Sequence, residues 1–335
     1  MTLLPVLCCT ILSSLLSIAV MAADAATATP AATPPVLKIT PGKIIVPIDA
    51  GMRRIWGELV SMDLATRSGT FRKDGTDQLM RFSVLPYAEL LHHATLGDLQ
   101  DFRIGERAIF RLHENDKGEW TALSYIQDEM NMMNNHKQYF FVESIDVGKV
   151  RLSCTWANAD RSSVRQKDVL IETDHDTRFW KGGKPASFAD IATGDKLRTK
   201  THGIGTGATR MCWEVFLDDE SLIAFQTAQK AVHARRMAEE GLPGYVDAVA
   251  AEPAAANSVV QFTLFPEGRG AFAQLKVGAA VRIAPAGPDR KPAIPPLPAT
   301  ITAVKGAEVS VRLPTAAAAA AFQPTGVARL WPGTN

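Results

Sequence analysis

The chain has 335 residues, 46% of them hydrophobic and 21% charged, which is enough apolar material for about two or three ordinary domains with real cores. Its 36 Lys and Arg against 35 Asp and Glu leave a formal net charge of +1. That excludes a protein that holds nucleic acid by bulk charge alone, since such binding needs a cationic surplus to displace counterions, so nucleic acid is not the expected partner.

The N-terminus reads as an export signal. Residues Leu3 to Met21 are almost wholly apolar, and the small residues around Ala22 to Ala25 suit cleavage after Ala22 or Ala25. No Lys or Arg precedes Lys38, and an uncleaved anchor is the alternative, because a run of roughly 19 apolar residues is near the length of a membrane span. The expected division is a signal peptide over 1–22 and an Ala/Thr/Pro-rich linker and lead-in over 23–52. Ala26 to Pro35 contains only Ala, Thr and Pro, which cannot bury enough surface to fold. The expected location is secreted or periplasmic, with no membrane span left once the signal is cleaved.

One pattern then recurs three times: an apolar turn, a Gly, often an acid, and a strand. It appears as Leu99 to Phe110, as Phe188 to Arg198 and as Phe272 to Arg282, with Gly105, Gly194 and Gly278 at the equivalent point. A helical turn seats apolar residues over a barrel end, and Gly permits the reversal that a Cβ would hinder. Strand pairs precede each copy, such as Trp56–Asp63 with Ser68–Phe71, and a further strand such as Trp120–Ile126 follows. The inventory predicts a mainly β chain of tandem small five-stranded barrels, OB- or SH3-like, with one long connecting helix. The expected units are barrel 1 over 53–130, barrel 2 over 137–218, the helix over 219–242, and a barrel-like domain 3 over 243–335.

The first unit resembles the periplasmic copper/silver-chaperone small-barrel family, the metal-binding component of bacterial copper and silver efflux systems. Gly57 to Leu64, Met80 to Val84, Leu99 to Phe110 and Ala122 to Ile126 carry the likeness, under a quarter of the chain. It implies a small barrel in an extracytoplasmic compartment, binding Cu(I) or Ag(I) through a His, two Met and a stacked Trp. Here only Met80 falls at a ligand position. The second Met position is Gln78, the Trp position lies near Gly75, and no His occurs between Arg53 and Ala88, so the family's metal site is not expected to be kept.

Met130, Met132, Met133 and His136 form a second candidate for a soft metal, since thioethers suit Cu(I), although such segments also pack flexibly against apolar surfaces. Copper is therefore the alternative cofactor, with none as the first reading. His92, His93 and His113 read as ordinary loop or surface histidines. In the second unit Cys154 and Cys212 lie in apparent strands. If these strands are neighbours, a disulfide would close a loop of about 58 residues and stabilise by ~4 kcal/mol; two buried free thiols are the alternative. Trp156, Phe179, Trp180 and Trp213, beside Arg165, Arg178 and Lys181, read as a binding face for an anionic polymer, because aromatics among basic groups suit such a ligand.

Asp218 or Asp219 is a natural N-cap for the long helix, and Gly241 with Leu242-Pro243 is its stop. Leu222, Phe225, Ala228 and Val232 form its expected apolar stripe. No G-x-S-x-G, H-E-x-x-H or Walker pattern is present. The reading that follows is a non-catalytic extracytoplasmic binding or scaffold protein whose partner is a protein or an anionic polymer of the cell envelope. A periplasmic soft-metal binding protein and an enzyme acting on a wall or extracellular polymer are the alternatives.

Overall fold

The structure, a computed structural model, describes residues 52–115, 117–203, 209–252 and 257–333. The expected signal peptide and nearly all of the linker lie outside the described residues.

Barrel 1 is built from β1 (Met52–Asp63), β2 (Ser68–Lys73), β3 (Leu79–His92), the short β4 (Thr95–Leu96), β5 (Arg107–Glu114) and β6 (Trp120–Asp128). Pairing runs β2-β1-β5-β6-β3 and closes through β2–β3, with β3 and β6 parallel, which is the five-stranded OB topology. Alternation along β1 turns Ile55, Gly57 and Leu59 inward and Arg54, Trp56 and Glu58 outward. The interior is filled by Leu59, Phe71, Phe82, Phe110, Leu112 and Leu123, with Phe71 and Phe110 stacked at 4.0 Å.

A short helix of about two turns, α1 (Glu129–Asn135), capped by Asp128, leads directly into barrel 2. That barrel comprises β7 (Gln138–Asp146), β8 (Arg151–Asn158), β9 (Val164–Glu172), β10 (Arg178–Lys181), β11 (Lys184–Ala186), β12 (Lys196–His202) and β13 (Thr209–Phe216). Its closed circuit, β7-β8-β9-β13-β12, repeats the OB order, and β10–β11 extend it beside β13.

The long helix α2 (Asp219–Glu240) is capped by Asp218, whose carboxylate accepts from the Ser221 N–H at 2.8 Å. It stops at Gly241, whose φ of +81° suits glycine and whose position leaves no room for a Cβ, which would lie 2.7 Å from Trp331. The burial of α2 differs from the expected stripe. Leu222 is buried, but so are Gln229 and Arg236, because both reach the carboxylate of Asp101 in barrel 1.

The third domain is a closed barrel of six antiparallel strands, not five: β14 (Leu242–Glu252), β15 (Asn257–Leu264), β16 (Ala280–Pro285), β17 (Leu297–Lys305), β18 (Glu308–Leu313) and β19 (Val327–Pro332), in the order β14-β15-β18-β17-β16-β19. A short helix, α3 (Ala316–Ala319), covers β15 and β18.

The recurring sequence pattern has one structural meaning in all three barrels. Gly105, Gly194 and Gly278 adopt φ of +90°, +93° and +86°, each after a 3₁₀ turn. Each glycine N–H then donates to a strand carbonyl: Gly105 to Leu59 at 2.7 Å, Gly194 to Val142 at 2.8 Å and Gly278 to Ile301 at 2.8 Å. All three acceptors sit at a break in strand register, at Leu59/Ser61, Val142/Ser144 and Ile301/Ala303. The turn thus clasps a bulge, which closes a barrel by letting the strand bend there. In barrels 1 and 2 the clasped strand is the first one; in barrel 3 it is β17. The local motif is shared while the topology is not.

The barrels are joined by contacts rather than strung apart. The backbones of Glu106 and His202 form an antiparallel β-bridge across barrels 1 and 2, with the Gly203 N–H donating to the Gly105 carbonyl at 2.7 Å. Tyr87 of barrel 1 packs with Tyr245 and Phe265 of barrel 3.

Candidate functional site

The outward face of β1 and β5 is where barrel 2 docks. Trp56 stands opposite Ile109, and both pack on the core of barrel 2 rather than on their own. Arg107, on the same outer face, lies over the Trp56 ring at 4.3 Å. Barrel 2 brings Trp156 from β8, its indole N–H donating to Gln138 at 3.1 Å, with Arg165 over its ring at 4.7 Å. Gln166, paired with Trp156 across β8 and β9, and Arg210 of β13 complete the barrel 2 side. These residues and Glu129, at the start of α1, enclose a cleft of about 460 Å³ between the two barrels.

The charge in the cleft is arranged around Glu129, which is 1% exposed. Its carboxylate accepts from Arg107 at 2.8 Å, Arg210 at 3.3 Å and the Thr201 hydroxyl at 3.2 Å. Arg107 also pairs with Asp74 at 2.5 Å. Three guanidinium groups therefore face two carboxylates, and Arg165, the exposed one, tips the cleft toward positive charge. A shallow depression of about 410 Å³ continues past Trp56 between Arg53, Arg54 and Lys73. There Arg54 and Arg111 stand directly opposite on β1 and β5. Burial, and then the charge of Arg54, hold the Arg111 guanidinium below the ordinary arginine range. Arg111 also lies over the Tyr125 ring at 4.4 Å, which offsets part of the repulsion between the two like charges.

The residues expected to form one aromatic and basic face do not share one. Trp156 and Arg165 line the cleft. Phe179 points into the core of barrel 2. Trp180 meets Phe225 of α2 with ring centroids 5.0 Å apart and donates to Glu214 at 2.5 Å. Arg178 pairs with that same buried carboxylate at 2.5 Å, and Lys181 donates to the Asp190 carbonyl at 3.4 Å. Trp213 stacks on His202 at 4.8 Å, with Arg103 of barrel 1 over its ring at 4.4 Å. Alternation along β10 and β13 sends these neighbours in sequence to different faces. Trp56, Arg107, Glu129 and Arg210 were missed by sequence reasoning. The outward register of Trp56 against Ile55 and Leu59 was the available signal, but nothing local revealed what it would face.

The candidate soft-metal residues are also separated. Met130 packs with Phe216 and Leu222, whereas Met132 and Met133 enter the core of barrel 2. His136 is exposed at the C-terminal cap of α1. The thioethers are thus used for packing on two clusters, because successive residues of a helical turn point in different directions. The donor set at the position implied by the family resemblance does not fit copper either. Met80 packs against the core of barrel 1, and the place of a second thioether is taken by the exposed amide Gln78. Among the described residues no group of three His, Cys, Asp or Glu is placed to hold a metal ion.

The expected disulfide is replaced by two buried free thiols, Cys154 and Cys212. The condition for the bond fails: β9 lies between β8 and β13, so the two strands are not neighbours. Burial pushes the Cys154 thiol up to about 12 and the Cys212 thiol upward as well. His92 and His113, expected at the surface, are buried, the first against Lys200 and Gln229 and the second against Ser124.

No family model matches this chain. No curated protein matches it either. A search of solved structures finds a tryptophan-to-alanine variant of CusF from Escherichia coli with Cu(II), at 16% identity over 24% of this chain and 95% of that one, with a TM-score of 0.20. Ag(I)CusF matches at 17% identity over 23% of this chain and 97% of that one, with a TM-score of 0.19. The CSD456 segment of Drosophila Unr matches at 12% identity over 63% of this chain and 78% of that one, with a TM-score of 0.17. One barrel-sized part of the chain thus bears a distant resemblance to the CusF barrel. No helix among the described residues is long and apolar enough to cross a membrane.

Proposed function

We propose that this chain is a non-catalytic extracytoplasmic binding or scaffold protein, and that the cleft between barrels 1 and 2 takes an anionic polymer of the cell envelope. The observation that carries this reading is the exposed Arg165 at a cleft walled by the half-buried Trp56, with the exposed Arg53 and Arg54 in the adjoining depression. An exposed guanidinium such as that of Arg165 or Arg54 meets carboxylates or sulfates in the fork geometry that suits it, while Arg107, held by Glu129 and Asp74, and Trp156, buried in the core of barrel 2, build the wall. The depression beside Arg54 and Lys73 lengthens the binding surface, which favours a polymer over a compact ligand. Glu129 is committed to two arginines and a hydroxyl, which suits a carboxylate that positions guanidiniums rather than one that moves protons. Export rests on the apolar N-terminal run and the small residues after it.

The test is calorimetric titration of the full chain with polygalacturonate at low salt, beside neutral dextran and an Arg54→Glu/Arg165→Glu variant. The expected result is binding to the polyanion that weakens by at least about tenfold in the variant, a loss of about 1.4 kcal/mol. Equal binding by the variant, or equal binding of dextran, would discard the cleft. If polygalacturonate does not bind, crosslinking in the cell envelope decides whether an acidic protein occupies the cleft instead.

A further inference from the structure

A second cavity, about 590 Å³, lies between α2 and barrel 3, with β4 of barrel 1 (Thr95, Leu96) at its edge, away from the cleft described above. On the helix it is lined by Lys230, His233, Ala234, Met237 and Ala238, spaced so that they form one stripe. The barrel contributes Leu242, Trp331 and a 3₁₀ turn whose small residues Gly268, Gly270 and Ala271 lie between Glu267 and Gln274. The small side chains leave the volume open, and Met237, Leu242 and Trp331 make its wall apolar. This size and character match those of small-molecule sites, which are mostly apolar with a few polar groups.

Those polar groups carry one sign. Lys230 and Arg282 are exposed, and Arg282 stands directly across from Trp331 on β16 and β19. The carboxylate at the cavity, Glu267, is already neutralised by buried Arg290. His233 donates from Nε2 to the Glu267 carbonyl at 2.9 Å. Its Nδ1 is buried without a hydrogen-bond partner among the described residues, which is uncommon for a buried polar atom.

We propose that this cavity binds a single-chain amphiphilic carboxylate, its apolar tail along Met237, Leu242 and Trp331 and its charged head drawn to Lys230 and Arg282. A cationic amphiphile of the same tail is excluded by the same two side chains. The site is independent of the inter-barrel cleft and of what that cleft binds.

The experiment titrates the full chain with dodecanoate carrying a bromine on its tail, which quenches an adjacent indole. The expected result is saturable one-to-one binding with quenching that disappears in Trp331→Phe. Arg282→Glu should weaken binding by about tenfold, and Ala234→Trp, which fills the cavity from an exposed helix position, should weaken it by more. Dodecyltrimethylammonium should bind at least about tenfold less tightly. No saturable binding, unchanged affinity in Arg282→Glu, or equal binding of the cationic amphiphile would each overturn the proposal. Should Ala234→Trp fail to fold by circular dichroism, the surface variant Arg282→Glu and the Trp331→Phe quenching decide alone.

Discussion

Lys200 of barrel 2 places its ammonium 2.9 Å from the carboxylate of Glu106 in barrel 1, and the two side chains are 2% and 0% exposed. Glu106 is the acid that follows Gly105 in the first copy of the recurring turn, where it also accepts the Arg103 N–H at 3.1 Å. Asp128 lies 3.8 Å from the same ammonium, which also donates to His92 Nε2 at 2.6 Å. The seam between the barrels is therefore sealed by charge, and removing one partner leaves the others buried and uncompensated.

From this we expect Lys200→Met to destabilise the full chain by about 3–5 kcal/mol in urea unfolding, with Glu106→Gln in the same chain recovering part of the loss. A loss below about 1 kcal/mol would mean that water reaches the seam.

His92 makes the same seam sensitive to acid. Its Nδ1 donates to Gln229 at 3.0 Å and its Nε2 accepts from Lys200, which holds the ring neutral. Burial first, and Lys200 second, lower its pKa to about 4. A histidine whose folded pKa lies below its unfolded value of about 6.5 contributes stability that is complete above pH 6.5 and is lost as pH falls toward 4. Stability should therefore fall by up to about 1.4 kcal/mol per pH unit through this window. His92→Gln should flatten that slope relative to the parent. Asp128, raised by burial, acts in the opposite sense, contributing stability at low pH that is lost as pH rises, so the measured slope is the difference between the two.

The turn glycines give a cleaner measurement. Nothing lies within 4 Å of a Cβ added at Gly194 or Gly278, so alanine there meets only backbone strain at φ of +93° or +86°. Each substitution should cost about 1–3 kcal/mol in chemical denaturation. Gly105→Ala would add a contact with Trp213 at 3.4 Å and should cost no less. Neutral substitutions would show that the clasp does not constrain the bulge.

Buried, protonated thiols react slowly. Cys154 and Cys212 should alkylate at least about 100-fold more slowly in the native chain than in urea, with both modified once the chain unfolds. A non-reducing digest that links the two would contradict the free thiols found here.

Much of the barrel architecture was legible because its signals are local. A glycine forced to positive φ after an apolar turn recurs at Gly105, Gly194 and Gly278, and strand alternation around it follows from the two-residue period of the pleat. Asp218 and Gly241 likewise mark the ends of α2 through their own backbone requirements. The third unit is legible as barrel-like, but its sixth strand and its different strand order are not, because the same turn clasps β17 there instead of the opening strand and a turn motif carries no information about its distant partner.

The sequence by itself determined where the turns close, where α2 starts and stops, and that the chain is mainly β, since each depends on residues close in sequence. Only the tertiary structure decided that Trp56 and Trp156 line one cleft, that Met130 and Met133 face different cores, and that Arg236 of α2 is buried on Asp101 of barrel 1 at 2.7 Å. Those outcomes rest on pairs separated by many residues, and their energy appears only once docking excludes water from between them.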